Sequence, residues 1–306
     1  MATVRIHEQL DPGTAAAVVE LWERLDTASL GTVDFITTAQ EMLGYTGTTS
    51  TRQQLLLTCV DPELTAFAWA TLPLSDNTAL LEAEMRLMSG ADPGPLLHAL
   101  LSLRPTVAVW LPPGHDLSGH GFCLVQVEIA SALRLPATVP EAPPAEGYVI
   151  HSWRGPVPEH HLSCVAGMKE AMSTDMPWGG QTHDREVWDG ARIRETEEVD
   201  RRAGVETLWS LARHTGSGTC VGFTQLSCPA GRPAIAFQED TLVAGGHRGH
   251  GLGMTLKVAN LAQLARQLPR VRTIYTWNAE ENSHMLAINR RMGFVPAARF
   301  ECWQAG

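Results

Sequence analysis

Lysine is almost missing from this chain: among 306 residues, only Lys169 and Lys257 carry an ammonium group. The 33 acidic residues outnumber the 23 basic ones, the net charge is −10, and no basic run is present. Nucleic acid is therefore not expected as a partner. An acidic surface mildly favours a cationic, amine-bearing ligand instead. No uncharged apolar run reaches roughly 18 residues, so no segment reads as a membrane-spanning helix. The opening residues, MATVRIHEQLDPG, carry charge where a leader peptide needs an apolar core, and a cytoplasmic location is expected. The six cysteines, Cys59, Cys123, Cys164, Cys220, Cys228 and Cys302, form no CxxC pair and are read as free thiols in a reducing compartment. Twelve histidines include neither HxxxH nor HExxH, so no metal is expected.

The composition is that of a globular chain long enough for about two domains. The Pro/Ala-rich stretch LPATVPEAPPAEG, Leu135 to Gly147, divides it almost in half. After it come a strand (YVIHSW), an amphipathic segment from Pro158 to Met172, a polar loop (STDMPWGGQTHD) and a charged helix from Glu186 to about Arg202. ETLWSLAR and TCVGFTQLS read as strands joined by the turn HTGSG, and PAIAFQEDTLV as a third strand. Met254, Val258, Leu261, Ala265 and Leu268 then mark one buried helical stripe. VRTIYTW is a strand, Glu280 to Met292 a helix ending at Gly293, and FVPAARFECWQ a last strand. The first half repeats this order more weakly, with helices at Ala15 to Leu25 and Pro95 to Leu103, and Gly121-Phe122 where the second half has Gly293-Phe294.

Between a strand and a helix lies HRGHGLG, His247 to Gly253. It lacks the Gly-Lys-Ser/Thr of a nucleotide-binding P-loop, since Met254 and Thr255 follow Gly253. It also lacks the acidic residue of the dinucleotide fingerprint, because Arg270 and Arg272 stand where that residue belongs. Two readings remain for the loop alone. Its glycines either merely begin a helix, or let backbone N–H groups at the helix start close on a diphosphate.

The segment TLVAGGHRGHGLG followed by WNAEENSHMLAINRRMGF resembles the GNAT superfamily of acyl-CoA N-acyltransferases. The resemblance covers roughly residues 148–304. The weaker first half is similar to the degenerate repeat of tandem GNAT proteins of the mycothiol-synthase-like kind. The resemblance implies an α/β (α+β, mixed-sheet) chain of two tandem GNAT-like domains: residues 1–145 degenerate and structural, residues 146–306 an acyltransferase. It implies acetyl-CoA or another acyl-CoA as cosubstrate. Leu242 and Val243 would offer backbone groups to the pantetheine arm. Arg248, Gly249, His250, Gly251, Leu252 and Gly253 would wrap the pyrophosphate, and Asn282 would touch the cofactor. Where the family carries a proline two positions after the valine, this chain has Gly245.

The implied reaction is direct transfer of an acyl group from a pantetheine thioester to an amine. A base must first take a proton from the amine, and a fixed N–H near Val243 would hold the oxyanion. Glu239 and Asp240 are the candidate bases, and strict strand alternation would send them to opposite faces. The family's usual acid, a tyrosine, is replaced by Asn289; Tyr275 and His284 are nearby substitutes. Trp178, His183, Asp184, Glu186 and Trp188 are candidates for framing the acceptor. That acceptor is an amine-bearing small molecule or peptide, a natural product among the options. An acyl carrier protein as donor and a non-catalytic CoA-binding protein are the alternatives.

Overall fold

A computed structural model describes residues 2–138, 141, 145–175 and 184–306, which form two compact units. The first holds the chain through Glu128, together with Asp184 and Ala298–Gly306. The second is drawn from residues 129–175 and 185–297. Trp178 and His183 lie outside the described residues.

The first unit runs β1 (Thr3–His7), α1 (Pro12–Leu30), α2 (Ala39–Tyr45), β2 (Gly47–Thr48), β3 (Arg52–Val60), β4 (Leu64–Pro73), β5 (Leu80–Leu87), α3 (Gly94–Leu103), β6 (Thr106–Leu111) and the start of β7 (Cys123–Arg134). Helix α1 begins where Asp11 accepts from the N–H groups of Gly13 and Thr14 and ends on left-handed Gly31. Alternation along β3 sends Leu56 to a core with Val18, Leu21 and Trp22 of α1, and Leu55 and Leu57 to one with Leu96 and Leu100 of α3. The segments β1 and α2, for which the sequence pattern gives no signal, pack on this frame.

The second unit continues through β8 (Tyr148–Arg154), α4 (Leu162–Asp175), α5 (Gly190–Ala203), β9 (Val205–His214), β10 (Cys220–Pro229), β11 (Ile235–Val243), α6 (Leu252–Gln267), β12 (Thr273–Ala279), α7 (Ser283–Met292) and β13 (Val295–Ala305). Its strands lie in the order β7-β12-β11-β10-β9-β8, and β11 and β12 are the parallel pair. Helices α4 and α5 cover one face, where Val165 and Ile193 meet Trp209, Phe223 and Leu242. Helix α6 covers the other, where Met254, Leu261 and Leu264 meet Leu208, Leu226 and Ala236. The units divide inside β7 and β13: the end of β7 neighbours β12, and Glu301–Ala305 of β13 pair with Val107–Leu111 of β6.

Two expectations are corrected. The buried side of α6 is rotated from the stripe read off the sequence: Ala265 is exposed, and Lys257, Asn260 and Gln263 join Met254, Leu261 and Leu264 inside. Asn260 donates to Leu208 O and Gln263 to Trp209 O, so these amides are satisfied within the core. Nor are all six cysteines free. Cys164 of α4 and Cys220 of β10 form a disulfide across 56 residues of sequence. Only the fold brings them together, and no local spacing announces the pair.

Candidate functional site

The second unit's parallel pair is joined over only three residues, Ile235–Phe237 against Thr273–Tyr275. Beyond them β11 runs six residues further without pairing to β12. The equivalent pair of the first unit stays closed over five residues, Leu80–Glu84 against Thr106–Trp110. The opening between β11 and β12 is continuous with a cavity of about 690 Å³ in the second unit. Leu242, Val243, Arg248, Gly249, Gly251, Leu252, Gly253 and Asn282 all line it, together with Glu239 and Asp240.

At one end sits the glycine loop. Gly249 and Gly251 have φ of 84° and 74°, a region that side chains resist. Gly251 is the N-cap of α6 and offers no side-chain cap, and the first intrahelical bond is Thr255 N–H to Gly251 O. The N–H groups of Leu252, Gly253 and Met254 are thus the helix's orphan donors, at the positive end of its dipole. Arg248 donates from Nε to Val243 O and forms an exposed ion pair with Asp175, 2.9 Å apart. Arg291 lines the same cavity. His247 is tied by its Nδ1 to the Tyr148 hydroxyl at 2.9 Å, and the His250 ring lies 5.8 Å from that of Tyr148.

Along the floor, β11 presents backbone. Ala244 N–H donates to Val221 O, so antiparallel alternation turns the N–H of Leu242 toward β10 and that of Val243 into the gap. Gly222 lies opposite Val243, and a Cβ there would stand 2.9 Å from Leu242 O. The absence of a side chain is what lets the two strands approach here.

At the far end are the carboxylates, and here strict alternation fails. Thr224 pairs with Thr241 but Leu226 with Gln238, so β11 carries one extra residue, a β-bulge at Glu239–Asp240. Its effect is visible on either side: Ala236 packs on the α6 core, whereas Leu242, six residues on, packs on the α4 core. Both carboxylates consequently face α4 and α5 rather than opposite sides. Asp240 accepts a 2.6 Å bond from Lys169 of α4, which also reaches Gln225. Glu239 is open to the cleft yet walled by protein on most sides. That desolvation, followed by the charge of Asp240, pushes its carboxyl above the ordinary range, while a Ser227 hydrogen bond and Lys169 oppose the shift. The rings of Phe237 and Trp277 meet at a tilt of 43°, their centroids 5.6 Å apart.

Lys169 sits 5.6 Å from the rings of Trp188, Trp209 and Phe223. Trp188 donates to Glu186, and the Arg192 guanidinium lies 4.3 Å over its ring. Trp188 thus meets Lys169, and Glu186 is joined to it through the Trp188 indole, whereas Asp184 falls in the first unit. Asn282 caps α7 by accepting from Met285 N–H. Of the substitutes for a tyrosine acid, His284 lines the cavity and Tyr275 is buried away from it. Sequence reasoning missed Lys257. It is 2% exposed, lines the cavity and donates to Asn289 Oδ1 at 2.8 Å. A lysine three residues after Met254, inside an apolar helical pattern, was the available signal.

No family model matches the chain, and no curated protein does. Solved structures do. A tandem GNAT protein from the clavulanic acid biosynthesis pathway, without AcCoA, is 21% identical with a TM-score of 0.75, covering 100% of this chain and 98% of its own. A GCN5-related N-acetyltransferase from Sphaerobacter thermophilus is 18% identical with a TM-score of 0.68, covering 99% and 95%. A fungal GCN5-related glucosamine N-acetyltransferase region is 12% identical with a TM-score of 0.61, covering 99% of this chain and 38% of that one. The architecture of the chain is that of the tandem GNAT fold.

Proposed function

We propose that the protein is an N-acyltransferase that moves an acyl group from a pantetheine thioester, that of acetyl-CoA or another acyl-CoA, to the amine of a small molecule or peptide. The observation that carries this reading is the parting of β11 from β12 after three paired residues, with an uncapped helix start at one end of the opening and a carboxylate with a raised pKa at the other. The orphan N–H groups of α6 and the Arg248 and Arg291 guanidinium groups suit a diphosphate. This favours CoA over a carrier-borne arm, which has a single phosphate.

In this reading the arm lies against β11, bonded to backbone that β12 has left unpaired, and the thioester carbonyl comes to rest near Val243 N–H. Glu239 takes the proton from the attacking amine. Its raised pKa makes it a stronger base than an ordinary carboxylate. Asp240, bound to Lys169, is less suited to that step and instead sets the field around Glu239. Trp188, Trp209 and Glu186 flank the side from which the amine arrives. Residues 1–145, whose parallel pair stays closed, serve as scaffold.

Acetyl-CoA turnover with a panel of amines tests the assignment. The reading requires CoA release that depends on the amine and is lost in Glu239→Gln while acetyl-CoA still binds. Absence of both binding and turnover in folded protein would refute it.

A further inference from the structure

We propose that Lys257 is the proton donor to the departing thiolate, held in place by Asn289. The inference rests on the acyl-transfer reading above and adds the acid that reading leaves unassigned.

Lys257 comes from α6, on the face of the sheet opposite α4, and lies four residues beyond Gly253 in the first turn. That offset is about 6 Å along the helix, away from the diphosphate end and deeper into the cavity. Its ammonium donates to Asn289 Oδ1, and the Asn289 amide donates to Asn278 Oδ1 of β12 at 2.6 Å. Asn289 is 1% exposed; its backbone carbonyl accepts from Gly293 and Phe294 N–H where α7 ends, which leaves its side chain to bridge Lys257 and Asn278. Thr276 Oγ1 donates to Gln238 O at 3.4 Å, so the register of the closed end reaches Gln238, and the bulge at Glu239–Asp240 then comes opposite Trp277–Asn278 across the opening. The lysine and the carboxylates therefore flank the same level of the gap from opposite faces of the sheet.

Among the described residues Lys257 bonds no carboxylate, and burial alone pulls its pKa to about 7. An ammonium desolvated without a counter-charge is held at a cost, and an anion forming in the cavity would be the first to offset it. The thiolate is such an anion. The proton inventory closes. As the C–N bond forms, the amine gives its proton to Glu239. As the C–S bond breaks, sulfur keeps the electron pair and takes a proton from Lys257. Water in the open cavity then returns a proton from Glu239 to the neutral lysine amine. A lysine poised near neutrality matches the job, because a donor of ordinary lysine pKa would transfer poorly.

The test compares native protein with Lys257→Met and Asn289→Asp, following acetyl-CoA binding by calorimetry and CoA release against pH. Lys257→Met should bind acetyl-CoA within about threefold of native protein yet lose ~10²-fold or more in kcat, the share a positioned acid supplies. Its profile should also lose the alkaline limb near pH 7. Asn289→Asp sets a carboxylate beside the ammonium and should move that limb to higher pH, which simple loss of packing would not do. Should Lys257→Met keep its rate, or lose rate with the limb unmoved, or Asn289→Asp leave the limb in place, Lys257 is not the acid. These outcomes leave the acyl-transfer reading standing. Native protein that neither binds acetyl-CoA nor releases CoA would remove both.

Discussion

Replacing Glu239 by glutamine keeps the side chain's size and its bond to Ser227 but removes its basicity. A positioned general base contributes about 10²- to 10⁴-fold, so kcat should fall by that factor, a barrier increase of about 3 to 5 kcal/mol. Affinity for acetyl-CoA should be unchanged, because the diphosphate loop lies at the other end of the cavity. The pH dependence is a sharper test. Glu239 acts when ionised, so the rate rises with pH as its carboxyl loses its proton. Surrounding protein and then Asp240 raise that pKa, while Lys169 lowers it. Asp240→Asn removes the nearby negative charge and leaves Lys169 without its carboxylate, and both changes stabilise ionised Glu239. The acidic limb should therefore move to lower pH, read as CoA thiol release with a chromogenic disulfide. A limb that stays put or moves upward in Asp240→Asn, or native rates in Glu239→Gln, would refute the assignment.

Gly222→Ala should weaken acetyl-CoA binding, because its Cβ would meet Leu242 O at 2.9 Å and displace the strand that faces the arm; equal affinity by calorimetry would contradict that. Reduction of Cys164–Cys220, or its replacement by alanines, releases a 56-residue constraint and should cost up to about 4 kcal/mol, seen as a lower Tm under reductant. A Tm indifferent to reductant would show that the bond contributes nothing. Lys257 binds a proton in the unfolded chain, but not in the folded one, between about pH 7 and the ordinary lysine value of 10.5, so stability should climb with pH across that window. Lys257→Met should flatten the climb and stabilise the protein below pH 7, by at most about 5 kcal/mol at roughly 1.36 kcal/mol per unit.

Much of this fold is legible in the chain because its strands are apolar runs between turn residues and its helices stop at Gly204 and Gly293. The glycine loop is legible too, since a positive φ at Gly249 and Gly251 requires the residue found there. The relation between the two carboxylates is not. A period of two predicts opposite faces, and one extra residue in β11 cancels it; bulges follow from pairing with β10, which composition does not encode. Lys257 was hidden for a related reason. The turn of α6 that faces the cavity is set by where β11 and β12 part, so a polar residue inside an apolar stripe looks like an edge position until that gap is seen. The disulfide depends wholly on α4 crossing β10. The β1 strand is short and half-exposed, and only its pairing to β3 defines it.

Calorimetric titration of folded protein with acetyl-CoA and with acetyl-pantetheine, repeated on Gly251→Ala, tests the diphosphate cradle most directly. The account predicts that acetyl-CoA binds more tightly than acetyl-pantetheine, and that Gly251→Ala erases most of this difference by straining the turn that aims the N–H groups of α6. Equal affinity for the two thioesters in native protein, or an advantage for acetyl-CoA that Gly251→Ala leaves intact, would contradict it.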